Sequence, residues 1–409
     1  MSTRVSPSAR KRLLFLVAAS VISIVGILAA RDSVREWWLE TKSTESLSHL
    51  SEDSGDTLAL YIYAQRLMDN REPESAWEPA RRAADSLAAK DSSARAARIL
   101  SLAAYLAARF GDEKVAESFL ARAERAQSRD AQVALARGIL QLRRGRPSEA
   151  VASFRRVAES EPDRVEAWTR LGTGQLEDGN PTEAVKALRN ATRLSPTDAA
   201  VHADLGEALA RDRQYPEAAR EFTRAAELDS RNPQFLVLRA TAIAQAARTD
   251  LDYLEAANAL REALSRAPED DSVRLLLGGL HMRFGRLEAA RYELEAALKR
   301  QPINADGWLN LSTVGERMGI GKLSASALSR FQTLIDTETN IVALTQQTLL
   351  RPRDARRHLK LALALHHVGR SRDAYRELTR AADIDPNDPE VTRLLAAANA
   401  TMPDQALRR

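Results

Sequence analysis

Cysteine is absent from the 409 residues. The chain therefore has no disulfide framework, no thiolate metal site and no cysteine nucleophile. Lysine is scarce, 8 against 52 arginines, a bias that fits a GC-rich genome better than a binding surface. An excess of one charge is missing too. The formal net charge is +4, and Arg4, Arg10, Lys11 and Arg12 account for it; beyond them 56 basic residues face 56 acidic ones. That balance argues against the electrostatic footprint of a nucleic-acid binder. No Ser/His/Asp set, paired carboxylate or metal motif stands out, so no catalytic, cofactor or metal residue is assigned and no enzyme is expected. Gly172-Thr173-Gly174 lies inside a helical pattern rather than after a strand, which rules out a phosphate loop. His366 and His367 are adjacent and point about 100° apart on a helix, so they do not chelate together.

One long apolar run is present. Leu13–Ala30 holds 18 residues without a charge. As a helix it spans about 27 Å, close to the ~30 Å bilayer core, and predicts a transmembrane segment. Trp37 and Trp38 follow, where aromatic side chains favour the membrane interface. A cleaved leader is the alternative. The run is longer than a usual leader core and no clean small-x-small site follows it, which favours a retained signal anchor. The N-flank carries four basic residues and no acid, whereas Arg31, Asp32, Arg35 and Glu36 mix signs beyond it. Positive-inside then predicts a single-pass protein of a bacterial inner membrane, with the N-terminus cytoplasmic and the rest periplasmic.

The remainder is organised around Val165–Asp198. Counting Val165 as position 1, Trp168 is at 4, Leu171 at 7, Gly172 at 8, Ala184 at 20, Ala191 at 27 and Pro196 at 32. Small residues at 8 and 20 fit where two antiparallel helices cross, and Leu188 fills the space beside them. Asp178-Gly179-Asn180-Pro181 reads as the turn between the helices, and Pro196 as the stop. The spacing recurs as Ala104/Ala116/Ala123, Gly138/Ala150/Pro162, Gly206/Ala218/Ala225, Gly278/Ala290/Pro302 and, in the last unit, Leu361/Ala374/Pro386.

This pattern resembles the tetratricopeptide repeat (TPR), a 34-residue helical hairpin. The resemblance implies an all-α chain: a right-handed superhelical α-solenoid of TPR helix pairs, preceded here by the one transmembrane helix. The expected map is a basic tail at 1–12, the anchor at 13–30, a juxtamembrane linker at 31–55 and a degenerate capping pair at 56–96. A TPR array follows at 97–338, then an irregular helix at 339–354, a TPR at 355–388, and a capping helix and tail at 389–409. In the unit from Pro233, four extra residues are expected in the turn around Arg248–Asp252.

In such a solenoid the first helix of each pair lines the concave face. The positions that point inward give Tyr105, Ile139, Glu166, Arg170, Thr173, Asp204, Glu207, Leu276, Met282, Asn310, Arg317 and Lys360 as candidate groove residues. The implied activity is non-catalytic: a scaffold or adaptor for a protein or peptide partner in the cell envelope. A permanent subunit of a large respiratory, photosynthetic or secretion complex is the alternative. No nucleic acid and no cofactor is expected.

Overall fold

The computed structural model describes residues 35–401, apart from 55, 71, 89 and 127–129. The basic tail 1–12, the apolar run 13–30 and the tail from 402 on lie outside the described residues. Among the described residues every regular element is a helix, and no helix is long and apolar enough to cross a membrane. The chain divides after Asp212 into two compact units.

The first unit runs α1 (residues 35–40), α2 (Thr44–Ser54), α3 (Thr57–Asp69), α4 (Pro73–Asp85), α5 (Ala94–Phe110), α6 (Glu113–Arg125), α7 (Ala131–Arg143), α8 (Pro147–Ser160), α9 (Val165–Glu177), α10 (Pro181–Leu194) and α11 (Ala199–Arg211). The pair α9–α10 shows why the sequence repeats. Gly179 turns the chain at φ +76°, where a side chain would be strained, and Pro181 opens α10. The same place in other hairpins holds Gly145, Gly285, Gly319 and Gly369, and at Arg213 an arginine accepts φ +61°. Where the helices cross, a Cβ on Gly172 would stand 2.5 Å from Leu188 Cγ. In the preceding pair a Cβ on Gly138 would stand 2.4 Å from the Phe154 ring.

Position 4 has a second task besides packing. Trp168 Nε1 donates to the carbonyl of Pro162 at 2.8 Å, and His202 Nε2 lies 3.1 Å from that of Pro196. In the other unit Trp308 Nε1 donates to Pro302 O at 2.8 Å, and His358 Nε2 lies 3.1 Å from Pro352 O. The side chain that starts one repeat thus satisfies the carbonyl at the stop of the repeat before. Trp168→Phe keeps most of the ring and loses this bond, so unfolding midpoints are expected to fall by the equivalent of about 0.5–1.5 kcal/mol. A denaturant titration beside the wild type checks it.

The linker 31–55 reads from sequence as a helix running into a tether, and the tether is corrected over the described part. Residues 35–54 are helical apart from a short break at 41–43, and Leu39 and Leu47 are buried in the core that runs on through α3–α10. Arg35 pairs with Asp56 at 2.6 Å and Arg98 with Glu36 at 2.8 Å. The Ser/Glu-rich composition hid the leucines at helical spacing.

The second unit runs α12 (Tyr215–Leu228), α13 (Gln234–Ala246), α14 (Asp250–Arg266), α15 (Asp271–Arg283), α16 (Leu287–Arg300), α17 (Ala305–Arg317), α18 (Gly321–Leu350), α19 (Ala355–His367), α20 (Ser371–Ile384) and α21 (Pro389–Thr401). Two expectations are corrected here. Of the four extra residues in this unit, three lengthen α14, which has 17 residues where α10 and α12 have 14, and the turn at 247–249 stays three residues long. Thr249 accepts from the Asp252 N–H at 3.2 Å, and Asp252 accepts from the Thr249 N–H at 2.9 Å, so a capping box starts the helix early. The division at 338/339 into a repeat and an irregular helix is also wrong, because α18 is one helix of 30 residues. Position 32 of this repeat is Asp336 rather than proline, and no Gly or Pro occurs from Lys322 to Arg351. Nothing stops the helix until Arg351, the residue before Pro352.

Candidate functional site

In the first unit the leading helices α5, α7, α9 and α11 form a row in which each packs on the next. Seven of the expected groove residues sit on it. Tyr105 is fully buried, so its ring is core rather than groove surface. Its hydroxyl donates to Glu166, two repeats further on, and accepts from Arg109 Nη1 at 2.7 Å. Burial, reinforced by the Glu166 charge, pushes the Tyr105 hydroxyl up to about 12, so it stays a donor at neutral pH. Glu166 is ringed by guanidinium groups: Arg109 at 3.6 Å, Arg164 at 3.6 Å and Arg170 at 3.7 Å. Ile139 on α7 is buried. Thr173 turns its hydroxyl back onto the Thr169 carbonyl at 3.0 Å. These two are less available than the sequence pattern implied.

Asp204 and Glu207 on α11 behave differently from each other. Glu207 is exposed and pairs with Arg211 at 2.9 Å. Asp204 is half-buried and forms no hydrogen bond or ion pair among the described residues. Burial first, then the like charge of Glu207, push its carboxyl up from 3.8 to about 6, against the pull of Arg170. The face therefore offers a paired acid, Glu166, and an unpaired one, Asp204.

In the second unit Leu276 is 44% exposed, while Met282 is half-buried against a core of Leu294, Leu298 and Leu311. Asn310 is half-buried and Lys360 exposed. Arg317 is exposed, but Nη1 donates to the Met282 carbonyl at 2.6 Å, so it caps the end of α15. Near the end of the unit, a cavity of about 250 Å³ opens between α19, α20 and α21. Leu363, His366, Tyr375, Leu378 and Leu394 line it. It is apolar apart from His366, the Ser371 side chain and the Tyr375 hydroxyl, which donates to Asn399 at 2.9 Å.

Residues 135–173 and 169–233 match one tetratricopeptide repeat model and residues 247–311 match another. These stretches are tetratricopeptide repeats. Cellulose synthase operon protein C of Pseudomonas fluorescens (strain SBW25) is 29% identical over 166 residues, which is 39% of this chain and 12% of that protein. The chain thus spans about an eighth of the length of this relative. Two solved structures are similar in fold. PilW, a type IV pilus biogenesis factor, matches at 18% identity and TM-score 0.44, over 50% of this chain and 94% of its own. The C-terminal part of a TPR protein from Cytophaga hutchinsonii matches at 18% identity and TM-score 0.46, over 61% and 99%.

The TPR register explains what the groove list missed. Arg143 and Arg283 share position 13 with Arg109 and Arg317. Arg143 donates to the Arg109 carbonyl at 3.1 Å, and Arg283 to the Ala247 carbonyl at 3.3 Å. An arginine at this place ties the end of one leading helix to the next, where the helix dipole favours a cation. Arg109 instead turns to Tyr105 and Glu166. Its repetition at a fixed position was the available signal. TPR repeats are in general non-catalytic modules that bind protein partners.

Proposed function

We propose that this chain is a membrane-anchored scaffold that holds protein partners in the bacterial cell envelope. The matched TPR repeats carry the reading, because stacked helix pairs of this kind are commonly used as binding surfaces. The uncharged run 13–30, with four basic residues before it, supports the anchor and a periplasmic solenoid. Similarity to a protein named for a cellulose synthase operon is in line with an envelope process such as polymer export. In the first unit the contact face is polar, with Glu166, Arg170, Asp204 and Glu207. In the second it is more apolar, with Leu276 and the cleft beside His366. Each suits an extended peptide or a partner helix.

The test is purification of the full-length protein from native membranes in mild detergent, beside Glu207→Arg and Lys360→Glu, both at exposed positions. Chains that accompany the wild type in fixed ratio and fall by about tenfold with either variant fit the proposal. Equal recovery with both variants removes the leading-helix faces from it. A reporter fused after Arg409 is expected to be active outside the cytoplasm, and activity only inside would overturn the topology.

A further inference from the structure

The long helix α18 carries two parallel stripes. Ala327, Leu334, Ile341 and Thr348 are buried against their own unit. One residue further on, Leu328, Ile335, Val342 and Leu349 recur every seventh residue and are 46%, 41%, 59% and 76% exposed. Residues spaced by seven lie on one line along a helix, the spacing of a coiled-coil seam. Gln332, Thr339 and Gln346 fall between them and complete the alternating four-and-three step, all exposed. The fold has no need of this second line, since the first already supplies the packing.

We infer that the exposed stripe is an isologous interface, pairing α18 with α18 of a second copy of this chain. Charge argues for a self-contact. The helix holds only Lys322, Arg330, Asp336 and Glu338, and nothing charged after Glu338. Two identical faces without net charge meet without repulsion, whereas a charged partner would find no counter-charge. Area argues for it as well. At roughly 100 Å² per aliphatic side chain, the four stripe residues and Leu350 expose about 300 Å² of apolar surface per copy. Doubled, and with the flanking Gln332, Thr339, Ala343 and Gln346 added, this approaches the ~1,000 Å² of a biological interface. A membrane surface is the poorer occupant, because no Trp, Tyr, Lys or Arg stands among these residues.

Full-length protein in mild detergent, weighed by light scattering with the detergent mass subtracted, is expected to contain two copies. The double variant Ile335→Asp/Val342→Asp is expected to be single, with unchanged helix content, since both side chains are exposed. Thr339→Cys gives an independent readout in a chain with no cysteine of its own. Mild oxidation is expected to cross-link two copies through it, and to fail when the two aspartates are added. A single copy at tens of micromolar overturns the proposal. So does a two-copy species that survives in the double variant, or a cross-link from position 339 to a different chain.

Discussion

Phe154→Ala is expected to destabilise the first unit by about 3–5 kcal/mol, the cost of removing a buried aromatic ring that its surroundings cannot replace. The ring is fully buried on α8. It lies against Gly138 on α7, and also faces Gly174 on α9, where a Cβ would stand 3.2 Å away. Two glycines on two leading helices therefore form the floor of one aromatic site. Removing the ring opens space at the joint between consecutive repeats, so stacking is lost as well as pairing. Gly138→Ala alone puts a methyl into the ring and is expected to cost about 1–3 kcal/mol. With both changes the alanine side chain at 138 finds the space the ring has left. The double variant is expected to be more stable than the two losses added together, by roughly 1 kcal/mol. Denaturant unfolding of the four proteins, with amide exchange in α7 and α8 as the local probe, measures the cycle. Simple additivity would mean that Gly138 and Phe154 do not share the site.

These pairs were readable from sequence because the repeat states them several times. Gly172 beside Leu188 and Gly138 beside Phe154 recur at one spacing, so the crossing followed from pattern alone. What was misjudged lacks repetition. Leu39 and Leu47 stand in a polar stretch that occurs once, and its composition outweighed two leucines. A 34-residue period divides α18 at 338/339, but the proline stop on which that period depends is missing there. The capping box of α14 is hidden for the same reason, since one insertion has no second copy to reveal its phase. The polar face was legible only as positions. That Tyr105 reaches Glu166 across two repeats, and that Arg317 caps a neighbouring helix, depends on side-chain reach that no period encodes.

Asp204→Asn is expected to stabilise the protein at about pH 8 by roughly 2–3 kcal/mol and to leave it unchanged near pH 4. The carboxyl is raised from 3.8 to about 6, chiefly by burial and then by Glu207. A raised acid favours folding while it is protonated. That contribution is complete below about 4 and is lost as the pH passes through about 6. At about pH 8 the wild type carries a charged, half-buried carboxylate without a hydrogen-bond partner among the described residues, and asparagine at the same place carries none. The difference between variant and wild type, read from denaturant midpoints at both pH values, isolates this group from every other titration. A difference that is flat with pH would mean that Asp204 is well solvated. A carboxylate that weakens its own fold at neutral pH makes sense if a donor from outside completes it. Under the proposed scaffold function that donor belongs to the partner, so the stabilised variant is expected to hold its partner less tightly at about pH 8. The same loss at about pH 5 is expected to be smaller, because the wild-type carboxyl is then largely protonated and has already given up the charge that the partner would meet.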